Sequence, residues 1–222
     1  MLGGAQFAHL EKSDALLRFA SQCNHGRGND ASPLIGCMST NANETEIKFR
    51  LRGPEEHGRL RTALTVLGAR STPATTEDNT LFDTMGTDLA ARRQVLRLRT
   101  INGGPRGFMT FKGPATFIDG IKSREEIEYG VDDAASARAM LLVLGYLPKI
   151  SYAKVREAWY LNDAEIVLDK LDFGWFCEIE ADIERIDEIL PQLGLLRSRA
   201  ERDSYPTLAR RFAFTSLPSV AP

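Results

Sequence analysis

Apolar and polar positions alternate along most of this chain. The alternation predicts strands over 44–52, 80–84, 94–101, 107–113, 124–130, 152–160, 164–171 and 174–181. Asn102-Gly103-Gly104-Pro105 and Asn162-Asp163 fit hairpin loops between neighbouring strands. Three segments follow the helical period instead. The first starts at Pro54, a good first-turn residue, and runs to Leu67-Gly68 with Leu60, Leu64 and Leu67 on one face. The second runs from Asp132, read as its cap, to Leu144-Gly145, with Met140, Leu141 and Leu144 apolar. The third runs from Asp182 to Leu193-Gly194 with Ile183, Ile186, Ile189, Leu190 and Leu193, and Pro191 is predicted to kink or end it. A weaker helix is predicted over 204–212.

The polar positions of these strands are charged and in phase. Glu44, Glu46, Lys48, Arg50 and Arg52 share one face of the first strand, with Thr45, Ile47, Phe49 and Leu51 behind. Arg97 and Arg99 alternate with Leu96 and Leu98. Arg106 and Lys112 share a face with Phe108 and Thr110. Arg124, Glu126 and Glu128 are in phase, as are Lys154 with Arg156, Glu165 with Asp169, and Glu178 with Glu180. Seven strands thus carry charges of both signs on one face and mostly apolar residues on the other. Two architectures fit: an open sheet showing its charged face to water, or a closed barrel with the charges inside. Carboxylate oxygens suit hard divalent cations, and Lys and Arg suit phosphate oxygens, so such a lumen would hold a metal and a polyphosphate together.

Composition narrows the partners. The 222 residues are 43% hydrophobic and 26% charged, with a formal net charge of −2. That is a soluble globular composition without general attraction for nucleic acid or anionic membrane. Cys23, Cys37 and Cys177 lack CxxC spacing and are odd in number, which points to a reducing, cytoplasmic setting rather than a disulfide framework or zinc site. No apolar run reaches membrane-spanning length, and Glu11, Lys12 and Asp14 interrupt any signal-peptide core. Residues 1–43, with a short helix expected over Leu10–Ala20 and a polar Asn24–Asp30 stretch, read as a flexible extension. Met38 is an alternative start. Residues 44–212 read as one domain and 213–222 as a flexible tail. His9, His25 and His57 lie outside the strands and are not expected to act. Cys177 is read as a small buried residue, and Lys122, Glu125 and Arg138 as solvated. Arg92 and Arg93 are read as solvated too, or as steering charges at a tunnel mouth.

Eight motifs in order carry a resemblance. Glu44-Thr45-Glu46-Ile47-Lys48 is similar to the ExExK signature of the CYTH family, which comprises class IV adenylate cyclases, thiamine triphosphatases and related triphosphate tunnel enzymes. Leu81-Phe82-Asp83-Thr84, Leu96-Arg97-Leu98-Arg99, Thr110-Phe111-Lys112-Gly113-Pro114, Arg124-Glu125-Glu126-Ile127-Glu128, Lys154-Val155-Arg156, Leu168-Asp169 and Phe176-Cys177-Glu178-Ile179-Glu180 resemble its later motifs. The resemblance implies an α+β fold: a closed eight-stranded antiparallel β-barrel, a triphosphate tunnel, with helices packed outside. It implies Glu44, Glu46, Asp169, Glu178 and Glu180 as ligands of Mg²⁺ or Mn²⁺. It implies Lys48, Arg97, Arg99, Lys112, Lys154 and Arg156 as triphosphate-binding cations, and Lys48, Glu126 and Glu128 as catalytic residues. The implied reaction is conversion of ATP to cyclic AMP and pyrophosphate, or hydrolysis of inorganic triphosphate, thiamine triphosphate or a nucleoside triphosphate. A homodimer is implied by resemblance only. A non-catalytic polyphosphate-binding module is the third reading, and the five carboxylates argue against it. Leu81 in place of Tyr, Trp159-Tyr160 and Phe173-Gly174 depart from the family pattern, which bears on specificity rather than on the charged set.

Overall fold

A computed structural model of the chain describes residues 39–215. The expectations for residues 1–38 and for the tail from Ser216 lie outside the described residues. Ten strands form one sheet: β1 (Ser39–Leu51), β2 (Arg70–Ser71), β3 (Thr75–Asp83), β4 (Val95–Ile101), β5 (Gly107–Lys112), β6 (Thr116–Ile118), β7 (Ile121–Val131), β8 (Leu147–Leu161), β9 (Ala164–Leu171) and β10 (Gly174–Glu180). The eight long ones follow the order β1-β10-β9-β8-β3-β4-β5-β7, and β7 pairs back to β1. Every pairing is antiparallel. The sheet is therefore closed, and the open-sheet alternative falls.

Closure rests on the N-terminal half of β1. Residues 39–46 face Tyr129–Lys122 of β7, while 46–51 face Glu180–Trp175 of β10. The strand starts at Ser39, five residues before the alternating pattern does, because 39–43 (Ser-Thr-Asn-Ala-Asn) are too polar to read as strand. β3 likewise starts at Thr75, not at 80, with Thr-Thr-Glu-Asp-Asn disguised as a loop.

The apolar outer face explains the helices. Ile47, Phe49 and Leu51 of β1, Ile166 and Leu168 of β9, and Cys177 and Ile179 of β10 form the main core. α1 (Pro54–Val66) adds Leu60 and Leu64 to it. α4 (Ile183–Leu193) adds Ile186, Ile189 and Leu193. Pro191 sits in the last turn of α4 without ending it; the helix stops at Gly194, whose φ of 63° favours glycine. α2 is one short turn (Asp88–Ala91). α3 (Ala134–Val143) packs Ala134 and Leu141 on Phe82 and Leu98. Its cap is Asp133 rather than Asp132: the carboxylate accepts the N–H groups of Ala135 and Ser136. After a 3-10 turn at Arg197–Arg199, α5 (Tyr205–Thr215) crosses one end of the barrel. Tyr205 and Leu208 pack there on Leu171 and Phe176. Among the described residues, no helix is long and apolar enough to cross a membrane.

Candidate active site: a charged tunnel

Alternation puts the charged faces inside the closed barrel, where water is scarce and every charge needs a partner. Lys154 is 4% exposed and Asp169 0%. The side chains form three groups of ion pairs, the largest centred on Glu77, Asp169, Glu178 and Glu128. On the β8–β10 side, Arg156 grips Asp169 bidentately, through Nε–Oδ1 at 2.8 Å and Nη2–Oδ2 at 2.6 Å, and reaches Glu178 at 2.8 Å. Lys48 pairs with Glu178 at 3.3 Å. Lys154 lies between Glu77 at 3.2 Å and Asp169 at 3.3 Å. On the β4–β7 side, Arg99 spans Glu77 at 3.4 Å and Glu128 at 3.0 Å. Arg97 meets Glu128 at 3.4 Å. Lys112 pairs with Glu126 and lies 3.5 Å from Glu44. Lys122 pairs with Glu46.

The thirteen residues that the resemblance implies for the site face this interior, and twelve of them sit in these ion-paired groups. Glu180 sits on the same wall, opposite Glu46. Arg50 and Arg52 leave it at the strand end: Arg50 donates to the Phe173 carbonyl at 2.8 Å, and Arg52 pairs with Glu56 on the outside. Arg106 also lies outside, against Asp132. Lys122, read as solvated, is instead a tunnel residue, because β7 starts three residues early and brings it opposite Glu46.

Three interior residues escape the sequence reading. Glu77, 4% exposed, is the carboxylate shared by Arg99, Lys154 and, at 4.0 Å, Arg156. Its only sequence signal is its phase with Asn79 and Leu81. Tyr205 of α5 donates its hydroxyl to Asp169 at 2.9 Å, and its ring lies 4.3 Å from the Lys48 ammonium. Tyr152 is the in-phase neighbour of Lys154. Asp83 is not a site residue: its carboxylate accepts the N–H groups of Thr84, Leu89 and Ala90 and so caps α2.

Burial and charge set the protonation states. Burial pushes the Glu77 carboxyl up, but Lys154 and Arg99 outweigh it and hold it well below the usual range. Burial likewise opposes ionisation of Glu46 and Glu128; Lys122 and Lys48 overcome it at Glu46, and Arg99 and Arg97 at Glu128. Glu126 differs. Burial raises it more than Lys112 lowers it, and the neighbouring Glu44 adds to the rise. Burial and the neighbouring Arg156 lower Lys154. Burial pushes Tyr152 up to about 12.

The donor set suits a hard divalent cation. Glu46 of β1 lies directly opposite Glu180 of β10, with Glu44 and Glu178 one alternation away along their strands, and all are oxygen ligands. Like charges on facing positions favour a shared cation. Among the described residues no three His, Cys, Asp or Glu stand in metal-holding geometry, since the carboxylates are turned to Lys and Arg. Flexible lysine partners make that arrangement exchangeable.

One end of the tunnel opens into a cavity of about 440 Å³. Its lining includes Glu46 and Lys48, the apolar Leu81, Phe82, Leu96, Phe117 and Ile150, and charged residues such as Arg93, Lys149 and Arg210.

The chain's similarities agree with this geometry. The family model for the CYTH domain matches residues 42–198. A candidate adenylate cyclase of Methanocaldococcus jannaschii is 29% identical over 174 residues, which is 73% of this chain and 95% of that protein. A solved protein of Pyrococcus horikoshii is 26% identical, with a TM-score of 0.65 over 76% of this chain and 99% of that one. A Hippeastrum protein described as a candidate adenylyl cyclase with a dominant triphosphatase activity shares the fold at 21% identity, with a TM-score of 0.64 over 76% of this chain and 96% of that one.

Proposed function

Because the chain belongs to the CYTH domain family, we propose that it is a divalent-metal-dependent enzyme that converts ATP to cyclic AMP and pyrophosphate. One observation supports the choice of a nucleotide: the charged tunnel opens at Glu46 and Lys48 into a cavity of about 440 Å³ that adds the apolar Leu81, Phe82, Phe117 and Ile150 to its charged lining. A bare triphosphate has no use for Leu81, Phe82, Phe117 and Ile150; a nucleoside has.

Lys48, Arg97, Arg99, Lys112, Lys154 and Arg156 hold the phosphate oxygens. Each gives up a carboxylate for a phosphate, so one ion pair replaces another and little charge is left unpaired. Glu44, Glu46, Glu178 and Glu180, with Asp169 behind them, would hold Mg²⁺ or Mn²⁺. When bound, the metal neutralises negative charge on the phosphates and the leaving pyrophosphate. The fixed cations stabilise the same charge as it grows in the transition state. Glu126, held high by burial, accepts the proton of the attacking 3′-hydroxyl, with Glu128 beside it on the same face. We propose a cytosolic site of action and no nucleic-acid role, consistent with the net charge of −2.

A second reading keeps the site and changes the nucleophile. Water attacks the terminal phosphorus, and Glu126 serves it equally well. The activity described for the Hippeastrum relative favours keeping this reading in the test. Incubation with ATP and Mg²⁺ or Mn²⁺, followed by product separation, decides. Cyclic AMP with pyrophosphate is expected; orthophosphate without cyclic AMP transfers the assignment to the hydrolase. Glu44→Gln and Glu178→Gln are each expected to lower turnover at least about 100-fold, and full activity in both would refute the site.

A further inference from the structure

Lys48 is held from two directions, and only one of them is the barrel. From the barrel, Glu178 of β10 meets its ammonium at 3.3 Å. From the chain that follows the barrel come two neutral groups. The Lys48 Nζ donates to the Asp203 carbonyl at 3.2 Å and lies 4.3 Å from the centre of the Tyr205 ring. An ammonium over an aromatic face is attracted by the ring's quadrupole, most strongly where water is excluded. Both residues are buried. Lys154 lies farther from the same ring, at 5.4 Å.

The ring is itself fixed. Its hydroxyl donates to Oδ2 of Asp169 at 2.9 Å. Burial, with the charge of Asp169 behind it, pushes that hydroxyl well above the usual phenol range, so it stays a donor. Phe176 meets the ring edge-on at 5.1 Å, and Tyr152 and Phe173 flank it at 6.2 and 6.4 Å. The segment leading to Tyr205 is tied to the same stretch of β1. The Glu201 N–H donates to the Lys48 carbonyl at 2.7 Å, and Ala200 bridges Phe49. A leucine at 205 would suffice to pack α5 on Leu171 and Phe176. A buried phenol aimed at Asp169, with an ammonium on its face, serves something more.

The neutrality of these partners matters when an anion arrives. A phosphate must displace Glu178 from Lys48, because two anions compete for one cation. The Asp203 carbonyl and the Tyr205 ring carry no net charge and can stay where they are. We propose that Tyr205 is a positioning residue for Lys48: its ring keeps the ammonium in place while Glu178 gives way to a phosphoryl oxygen, and its hydroxyl, through Asp169, keeps the ring in place. The proposal rests on the reading of the tunnel as a triphosphate site.

A double-mutant cycle separates positioning from mere anchoring of α5. Inorganic triphosphate with Mn²⁺ is titrated calorimetrically into the unaltered protein, Tyr205→Leu, Lys48→Met and the double variant. Tyr205→Leu is expected to weaken binding about tenfold in the unaltered background and less than about twofold in Lys48→Met. Tyr205→Phe keeps the ring and is expected to stay within about threefold of the unaltered protein. A second readout needs no ligand. The Lys48 ε-methylene proton signal, identified by its loss in Lys48→Met, is expected to be shifted upfield by the ring current. Tyr205→Phe is expected to keep that shift and Tyr205→Leu to abolish it. Equal weakening by Tyr205→Leu in both backgrounds overturns the proposal and leaves Tyr205 an anchor of α5. Undiminished binding in Tyr205→Leu overturns it too, as does a Lys48 signal without an upfield shift in the unaltered protein. Failure of the unaltered protein to bind triphosphate refutes the tunnel reading instead, and the Lys48 signal then decides alone whether the ring holds the ammonium.

Discussion

Glu77 shows how a single buried carboxylate organises the tunnel. It is shared by Arg99, Lys154 and Arg156, three of the cations assigned to the phosphates. Removing one partner of a buried network leaves the others uncompensated, so Glu77→Gln is expected to cost about 3 kcal/mol at pH 7. The pH dependence follows from its depressed pKa. Such a group stabilises fully above its unfolded value of 4.5, and the contribution is lost as pH falls toward the folded value. The gap between wild type and Glu77→Gln is therefore expected to shrink by about 1.4 kcal/mol per pH unit below 4.5. Urea unfolding at pH 7 and at lower pH checks this; a gap independent of pH would show that Glu77 is not ionised in the fold. The in-phase residues Glu44, Glu46, Lys48, Glu178 and Glu180 were legible because apolar residues alternate with them. Glu77 was not, because its strand neighbours Thr75, Thr76 and Asp78 are polar too. Tyr205 was not, because its role depends on where α5 lands.

At the scale of elements, the alternating strands and the three periodic helices were readable to within a few residues, and the errors share a cause. β1 and β3 extend past the alternation because backbone pairing with β7 and β8 carries the chain where side-chain patterning stops. β2 and β6, only two and three residues long, have no room for a period. Gly107 shows a constraint that periodicity does not express. A Cβ there would meet the Arg99 carbonyl oxygen at 2.1 Å and the next carbon at 3.1 Å. Both are backbone atoms of the β4 partner, which cannot swing aside. Gly107→Ala is expected to force β4 and β5 apart next to Arg99 and to cost about 3 kcal/mol. Thermal unfolding checks it; a melting temperature within a degree of the parent would show that the two strands tolerate a wider spacing.

At the scale of the molecule, barrel closure turns a charged face into a charged interior. Amphipathic strands alone favoured an open sheet over a closed barrel; the ordered family motifs reversed that, and the β1–β7 pairing is what enacts closure. A closed lumen filled with ion pairs is expensive unless a ligand of both characters exchanges into it, and a metal–triphosphate complex is such a ligand. The cations were legible as an in-phase set, yet their present partners were not readable, since which carboxylate meets which cation depends on register across eight strands. The most direct test is calorimetric titration of inorganic triphosphate with Mn²⁺ into the wild type and into Lys154→Met, which keeps the side-chain volume and removes the charge. One-to-one binding that weakens at least about tenfold in the variant is expected. Binding of equal strength in both proteins, or no binding in either, would contradict the tunnel as a triphosphate site.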